Sequence, residues 1–237
     1  MPAEYRMLLN KLLRTDLEGE RNNAAILRLL ARLPKGGNLL DVGCADGGRT
    51  ALYANSLGIS LNAVHGIEAK SAYLEKGLPF PISVLNLETD SFPWEAGSFD
   101  LVVCNQVLEH LKNMFLPMNE SVRVLRKGGR LLIGVPNVAA LHNRILLLFG
   151  GQPVCNHLAG PHLRCFAHKA FLRFLLSNPA VSLEACTGAS LYPLPWPMDD
   201  WAAALAPPLA AGTFYLLRKT AVAPAPWAME EGADTFL

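Results

Sequence analysis

Two carboxylates at the ends of apolar runs, a glycine-rich turn and six histidines are the residues here whose types and spacing could do chemistry. The turn lies in Leu39–Gly48, LLDVGCADGG. An apolar run ends at Asp41, Gly43 opens a tight turn, and Gly47 and Gly48 start a helix. Without Cβ atoms in the way, backbone N–H groups from Gly43, Cys44, Ala45 and Gly47 could approach a ligand at the helix start. The same residues fit a G-x-A-x-x-G dinucleotide fingerprint or a plain strand-to-helix turn. Asp41 helps to choose. A carboxylate at the mouth of the turn would repel a pyrophosphate and attract an ammonium. A second apolar run ends at Glu68, where a carboxylate can accept both hydroxyls of a ribose.

The histidines are His65, His110, His142, His157, His162 and His168. His65 lies inside an apolar run and reads as structural. His110 follows a buried run in CNQVLEHL, where Asn105 and Gln106 begin the turn and should border a ligand; Glu109 reads as solvated or paired. His162 and Arg164 share GPHLRCF, with His157 just before them. An imidazole can take a proton from an acceptor hydroxyl near neutral pH, and Arg164 could clamp an anionic group with two parallel hydrogen bonds or pin its own loop. His110 and His162 are therefore the catalytic candidates, and Asn137, His157 and Arg164 the acceptor-binding ones. Trp94, Trp196, Trp201, Phe166 and Tyr192 could line an apolar pocket, although core packing accounts for each singly.

Elements that would position these residues follow from the hydrophobic periodicity. Strands are expected at Asn38–Val42, Leu61–Ile67, Ile82–Leu85, Phe99–Cys104, Arg130–Val135, Val181–Ala185 and Thr213–Arg218. Helices are expected at Gly47–Leu57, Ala69–Lys76, Met114–Arg126 (stopped by Gly128 and Gly129), Val138–Phe149 and Lys169–Ser177. Such alternation implies right-handed crossovers and a parallel sheet. Residues 1–220 read as one α/β domain, with N-terminal helices in 1–33 and an acceptor-side elaboration in 138–210. Residues 221–237, rich in Ala and Pro, read as a flexible tail.

Composition narrows the partners. The 237 residues are 51% hydrophobic, enough for a large core, and the net charge of +1 favours neither nucleic acid nor an anionic membrane. Tyr5–Arg14 is mildly basic and amphipathic; packing on the domain is preferred over peripheral membrane contact. Trp201–Leu217 carries no charge, but Pro207, Pro208 and Gly212 argue against a spanning helix. No signal peptide is expected. Five cysteines without a CxxC pair fit a reducing cytoplasm and predict neither a disulfide framework nor a metal site.

With these residues in view, the chain resembles class I S-adenosylmethionine-dependent methyltransferases. LLDVGCADGG resembles their first motif, HGIE the acidic end of their second strand, and VLNLETDSFPWEAGSFDLVVCNQVLEHL and NESVRVLRKGGRLLIGVPN the blocks around their fourth and fifth strands. A weaker likeness, PHLRCFAHKAFLRFLL, is to methyltransferases acting on sugars, lipids and other small molecules. The resemblance implies a Rossmann-like, doubly wound, seven-stranded and mostly parallel sheet whose last strand is antiparallel. It implies S-adenosylmethionine as cofactor and a small-molecule or lipid-linked acceptor methylated at oxygen. Asn86 stands where the family has an adenine-proximal aspartate, Leu87 would offer an apolar face to the ring, and Ala45 replaces the middle glycine of the turn. A non-catalytic methyltransferase-like regulator and a dinucleotide-dependent oxidoreductase are the rival readings.

Overall fold

The computed structural model describes residues 18–70, 72, 80–221 and 226–228. The expected helix Tyr5–Arg14 and most of Ala69–Lys76 lie outside the described residues. One sheet contains β1 (Leu39–Val42), β2 (Val64–Glu68), β3 (Ile82–Val84), β4 (Phe99–Asn105), β5 (Leu125–Pro136), β6 (Val181–Ala189) and β7 (Gly212–Lys219). Their spatial order is β3-β2-β1-β4-β5-β7-β6. The first five pair in parallel, and β7 lies antiparallel between β5 and β6. This is the expected doubly wound sheet with an antiparallel last strand. Chain order reverses between β1 and β4, so a crevice opens beyond their carboxyl ends, where open α/β sheets bind ligands.

The helices are α1 (Glu18–Leu30), α2 (Gly48–Ser56), α3 (Phe115–Val124), α4 (Leu141–Leu148), α5 (His168–Leu175) and α6 (Met198–Leu205). Successive strand residues point to opposite faces of the sheet. Leu39, Leu101, Val103, Leu132, Phe214 and Leu216 pack with Ile26, Leu29 and Leu30 of α1 and Tyr53 of α2. Leu40, Val102, Leu131, Ile133, Tyr215 and Leu217 pack on the other face with Met118 and Val122 of α3 and Phe171 and Leu175 of α5. Cover on both faces explains why Leu101–Cys104 of β4 is apolar without alternation. Among the described residues no helix is long and apolar enough to cross a membrane.

Several boundaries differ from expectation. The helix expected to reach Arg126 ends at Val124, and Gly128 and Gly129 lie inside β5 instead of stopping a helix. Phe99 pairs with Leu125, but Leu101 pairs with Arg130. The glycines sit where extra residues must be absorbed, and Gly128 does so at φ +78°. Leu61–Ala63 is a 3₁₀ turn, and the second strand starts at Val64. Within the stretch expected to be flexible, Trp227 is buried. Its indole N–H donates to the Phe174 carbonyl at 3.1 Å, and its backbone exchanges two hydrogen bonds with the Asn119 amide. Burying an indole with a partner for its N–H offsets the entropy of holding the chain there.

The turn after β1 is built from left-handed residues: Gly43 at φ +75°, Ala45 at +48° and Gly47 at +71°. The Gly43 and Cys44 N–H groups both donate to the Ile67 carbonyl, at 2.8 and 3.0 Å. These two donors therefore tie the turn to β2. A Cβ on Gly43 would run into Val107 Cγ2. At Ala45 the left-handed backbone costs about 1–2 kcal/mol. Ala45→Gly removes that strain and adds unfolded-chain entropy of about 0.5–1 kcal/mol, so its stability should stay within about 1 kcal/mol of the parent. Gly43→Ala combines strain with overpacking and should lose about 2–3 kcal/mol. Urea unfolding of both variants checks the contrast; equal losses would show that the turn is not held by these dihedrals.

Candidate active site

A cavity of about 330 Å³ opens at the carboxyl end of β1 and β4. Of the residues expected there, Asp41, Gly43, Cys44, Ala45 and Asn105 line it; Asp46, Arg49 and Tyr53 do so as well. Arg49 and Tyr53 are four apart on α2 and share a helix face, the signal by which the sequence could have shown them. Asp41 is 4% exposed, and its Oδ2 accepts the Thr50 hydroxyl at 2.5 Å. Burial pushes its carboxyl up to about 7, against the Thr50 hydrogen bond and the more distant charge of Arg49. None of the ion pairs among the described residues includes it. Asn105 Oδ1 is buried without a partner. A desolvated carboxylate short of a cation, beside an unsatisfied amide oxygen, fits the ammonium end of S-adenosylmethionine.

Glu68 ends β2, where it is buried. Its Oε2 accepts the Ala45 N–H at 3.0 Å, and its Oε1 accepts those of Ala69 and Lys70 at 2.9 and 3.0 Å. The carboxylate thus bridges the two turns that border the crevice, and lone pairs remain on it for further donors. Leu87 is buried in the core. Asn86 is exposed and opens a turn by accepting the Glu88 N–H at 3.0 Å. Gln106 has φ +56° and a buried Nε2 without a partner. Ala45, Gln106 and Ser190 are the non-glycine residues at positive φ among the described residues, and they follow β1, β4 and β6. All three strained positions therefore fall on the carboxyl edge, as strain often does at functional sites.

The second half of the edge follows β4. Leu108–His110 forms a 3₁₀ turn that turns Glu109 inward. Glu109 is 0% exposed and neither carboxylate oxygen has a hydrogen-bond partner, contrary to its expected solvation or pairing. Burial pushes it up to about 7. His110 and His162 meet with ring centroids 4.8 Å apart, although 52 positions separate them. His110 Nδ1 lies 3.3 Å from the Pro161 carbonyl, and His162 Nδ1 lies 2.6 Å from that of Cys155. Partial burial lowers His110 below the usual imidazole range. β1 and β4 pair side by side to Val42 and Cys104, and the Gly43 turn packs against Val107 in the turn after β4, so the two halves of the edge adjoin.

The remaining candidates are spent elsewhere. Asn137 is fully buried; its amide donates to Pro208 and Ala210 carbonyls and accepts the Ala139 and His168 N–H groups. Its hydrogen-bonding capacity is used by the fold, which corrects its expected place at the acceptor. Arg164 donates from Nε to the Leu111 carbonyl at 3.0 Å and from a second nitrogen to that of Lys112, with its guanidinium over the Phe115 ring. These bonds pin the loop and occupy the Nε edge of the guanidinium, which differs from its expected place as an acceptor clamp. His157 is exposed and accepts the Ala159 N–H within its own turn. Trp196 and Trp201 are exposed, Phe166 is core, and Tyr192 lies under the buried Arg21–Asp199 ion pair, so these aromatics line no common pocket. His65 is structural, wedged edge-on between Trp94 and Phe99.

Asp41 makes the pH dependence of stability testable. Its folded value lies above that of an unfolded aspartate, so the folded state holds the extra proton. Stability is then lost as pH rises from about 4 to 7. Asp41→Asn keeps an acceptor for Thr50 without the buried charge. The ligand-free variant should match the parent near pH 4 and exceed it by about 2–4 kcal/mol at pH 8, as read by denaturant midpoints across that range. A gap independent of pH would mean that Asp41 is not the desolvated acid described here.

Known proteins place this geometry. The family described as a methyltransferase domain matches residues 40–133. A ubiquinone biosynthesis O-methyltransferase of Xanthomonas axonopodis pv. citri is 31% identical over 176 residues, 70% of this chain and 71% of that protein. Norajmaline N-methyltransferase of Rauvolfia serpentina is 28% identical over 62% of this chain, which spans about half (53%) of that relative. In fold, a SAM-dependent methyltransferase from Archaeoglobus fulgidus superposes with a TM-score of 0.59 at 14% identity, covering 91% of this chain and 100% of that one. With the motif turn, the carboxylates ending β1 and β2 and the strand order in agreement, this chain belongs to the class I S-adenosylmethionine-dependent methyltransferases, with S-adenosylmethionine as its methyl donor.

Proposed function

We propose that this chain methylates an oxygen of a small-molecule or lipid-linked acceptor. The observation that carries the reading is the meeting of His110 and His162 on the edge that adjoins the donor crevice. A nitrogen acceptor with a free lone pair needs little more than alignment. A hydroxyl must also shed its proton, and two imidazoles beside a buried carboxylate suit that demand. The likeness to an O-methyltransferase supports the same acceptor atom. A lipid-linked acceptor is supported by the apolar ridge next to the His162 loop, where Leu148, Phe149 and Leu158 are strongly exposed. This ridge is also where peripheral membrane contact would fall, and the whole reading suits a cytoplasmic enzyme.

On the donor side, Asp41 faces the ammonium and Glu68 the ribose hydroxyls. Leu87 and Asn86 meet the adenine, and Asn105 and Gln106 border the reacting end. Gly43, Cys44, Ala45 and Gly47 hold the turn in shape. The bound donor supplies an electrophilic methyl group on its sulfonium. The protein supplies alignment and removes water from the reacting pair.

Two variants test the division of labour. Glu68→Ala should weaken S-adenosylhomocysteine binding by about 1.5–3 kcal/mol, the scale of hydrogen bonds to a charged group. It should weaken a 2′,3′-dideoxy analogue much less; calorimetry with both ligands separates the ribose contact from loss of the caps on Ala45 and Lys70. His162→Ala should keep donor affinity within about twofold, or ~0.4 kcal/mol. Its transfer to a hydroxyl acceptor should drop at least tenfold, about 1.4 kcal/mol in the transition state. Full activity in His162→Ala would end the O-methyl reading of this edge.

A further inference from the structure

We propose that Glu109, His110 and His162 bind one divalent first-row cation of the zinc class, leaving a coordination position open for an acceptor oxygen. One ligand atom from each of the three residues lies within 4.8 Å of the others. In a tetrahedral zinc site, ligands at about 2.0–2.1 Å from the metal sit about 3.3 Å apart. His110 is exposed and can turn to close the difference. Sequence spacing gave no sign of such a site, because the third ligand comes from a distant loop.

Three features besides proximity point to a cation. Glu109 is fully buried, and neither oxygen meets a hydrogen-bond partner on another described residue; its own backbone N–H gives only a minor offset to burial. A carboxylate taken out of water without compensation is costly, and a metal ion supplies the compensation. Each histidine turns its Nδ1 to a backbone carbonyl, Pro161 for His110 and Cys155 for His162. An Nδ1–H donated to a carbonyl leaves the Nε2 lone pair free for a metal, and such bonds orient metal-binding imidazoles; the bond is short at His162 and long at His110, which keeps room to move. The loop that brings His162 is fastened to the residue that supplies the carboxylate. Leu163 and Arg164 N–H groups donate to the Glu109 backbone carbonyl at 2.7 and 3.0 Å. Arg164 adds its bonds to Leu111 and Lys112.

Two imidazoles and one carboxylate suit zinc, cobalt, iron or nickel better than magnesium or calcium, which prefer all-oxygen shells. Three protein ligands with an open position are the pattern of reactive sites. With both imidazoles bound to it, the cation would take over from them the task of activating the acceptor: it would polarise the hydroxyl and favour loss of its proton to solvent. That use rests on the O-methyl reading; cation binding itself does not.

The test uses the full chain, freed of metal with a chelator and titrated with Co²⁺ and with Zn²⁺. Expected are one tightly bound equivalent and cobalt d–d bands without a thiolate charge-transfer band. Affinity should fall at least tenfold in Glu109→Gln and in His162→Ala, with S-adenosylhomocysteine affinity kept within about twofold in both. His162 stands in a surface loop, so its variant decides should Glu109→Gln fail to fold. No bound equivalent, undiminished binding in His162→Ala, or a thiolate band pointing to a cysteine would each overturn the site. Undiminished methyl transfer by the metal-free chain would overturn its proposed use. A bound cation with no O-methylated product would support the site and overturn the O-methyl reading alone.

Discussion

At the end of β1 the fold takes a carboxylate out of water and gives it a hydroxyl, not a cation, as its close partner. Asp41 occupies a strand position whose neighbours, Leu40 and Val42, are wholly buried. Much of the crevice depends on that burial. Thr50 must lie within the first turn of α2 to reach the carboxylate, so the chain has to reverse within a few residues. Gly43, Ala45 and Gly47 do this at positive φ. Glu68 then holds the reversed turn through the Ala45 N–H. The unrelieved charge of Asp41 and the tight turn are two aspects of one constraint, and a cationic ligand is what would relieve it.

The segment after β5 shows polar residues used as fasteners. Asn137 joins β5 to the Pro208–Ala210 turn and to the start of α5. Arg164 ties its loop to the turn after β4. Neither touches the crevice as a ligand-binding group would, yet together they deliver His162 to His110. Loops carry functional side chains well only when a rigid frame positions them, and here the frame is made of side-chain bonds to backbone carbonyls. Charge and hydrogen-bonding capacity suggested contact with an acceptor for both residues; in the fold that capacity goes to backbone groups, fully buried at Asn137 and part-buried or exposed at Arg164.

Period-two and helical patterns, the glycine turn and two carboxylates at strand ends were legible by themselves. They specify the class of fold, the family and the turn and carboxylates that border the crevice, because each depends on residues close together in the chain. Asp41, Glu68 and the turn between them belong to this local grammar. What tertiary structure alone decided depends on distant partners. Gly128 and Gly129 read as a helix stop until β4 set the register of β5. Trp227 reads as part of a loose tail until Phe174 and Asn119 receive it. Glu109 reads as a solvated acid because its neighbours in sequence do not reveal that a 3₁₀ turn faces it inward. Its surroundings, like the meeting of His162 with His110, follow from contacts across some fifty residues. No local pattern carries that information, because burial is a property of the assembled core and not of the residue.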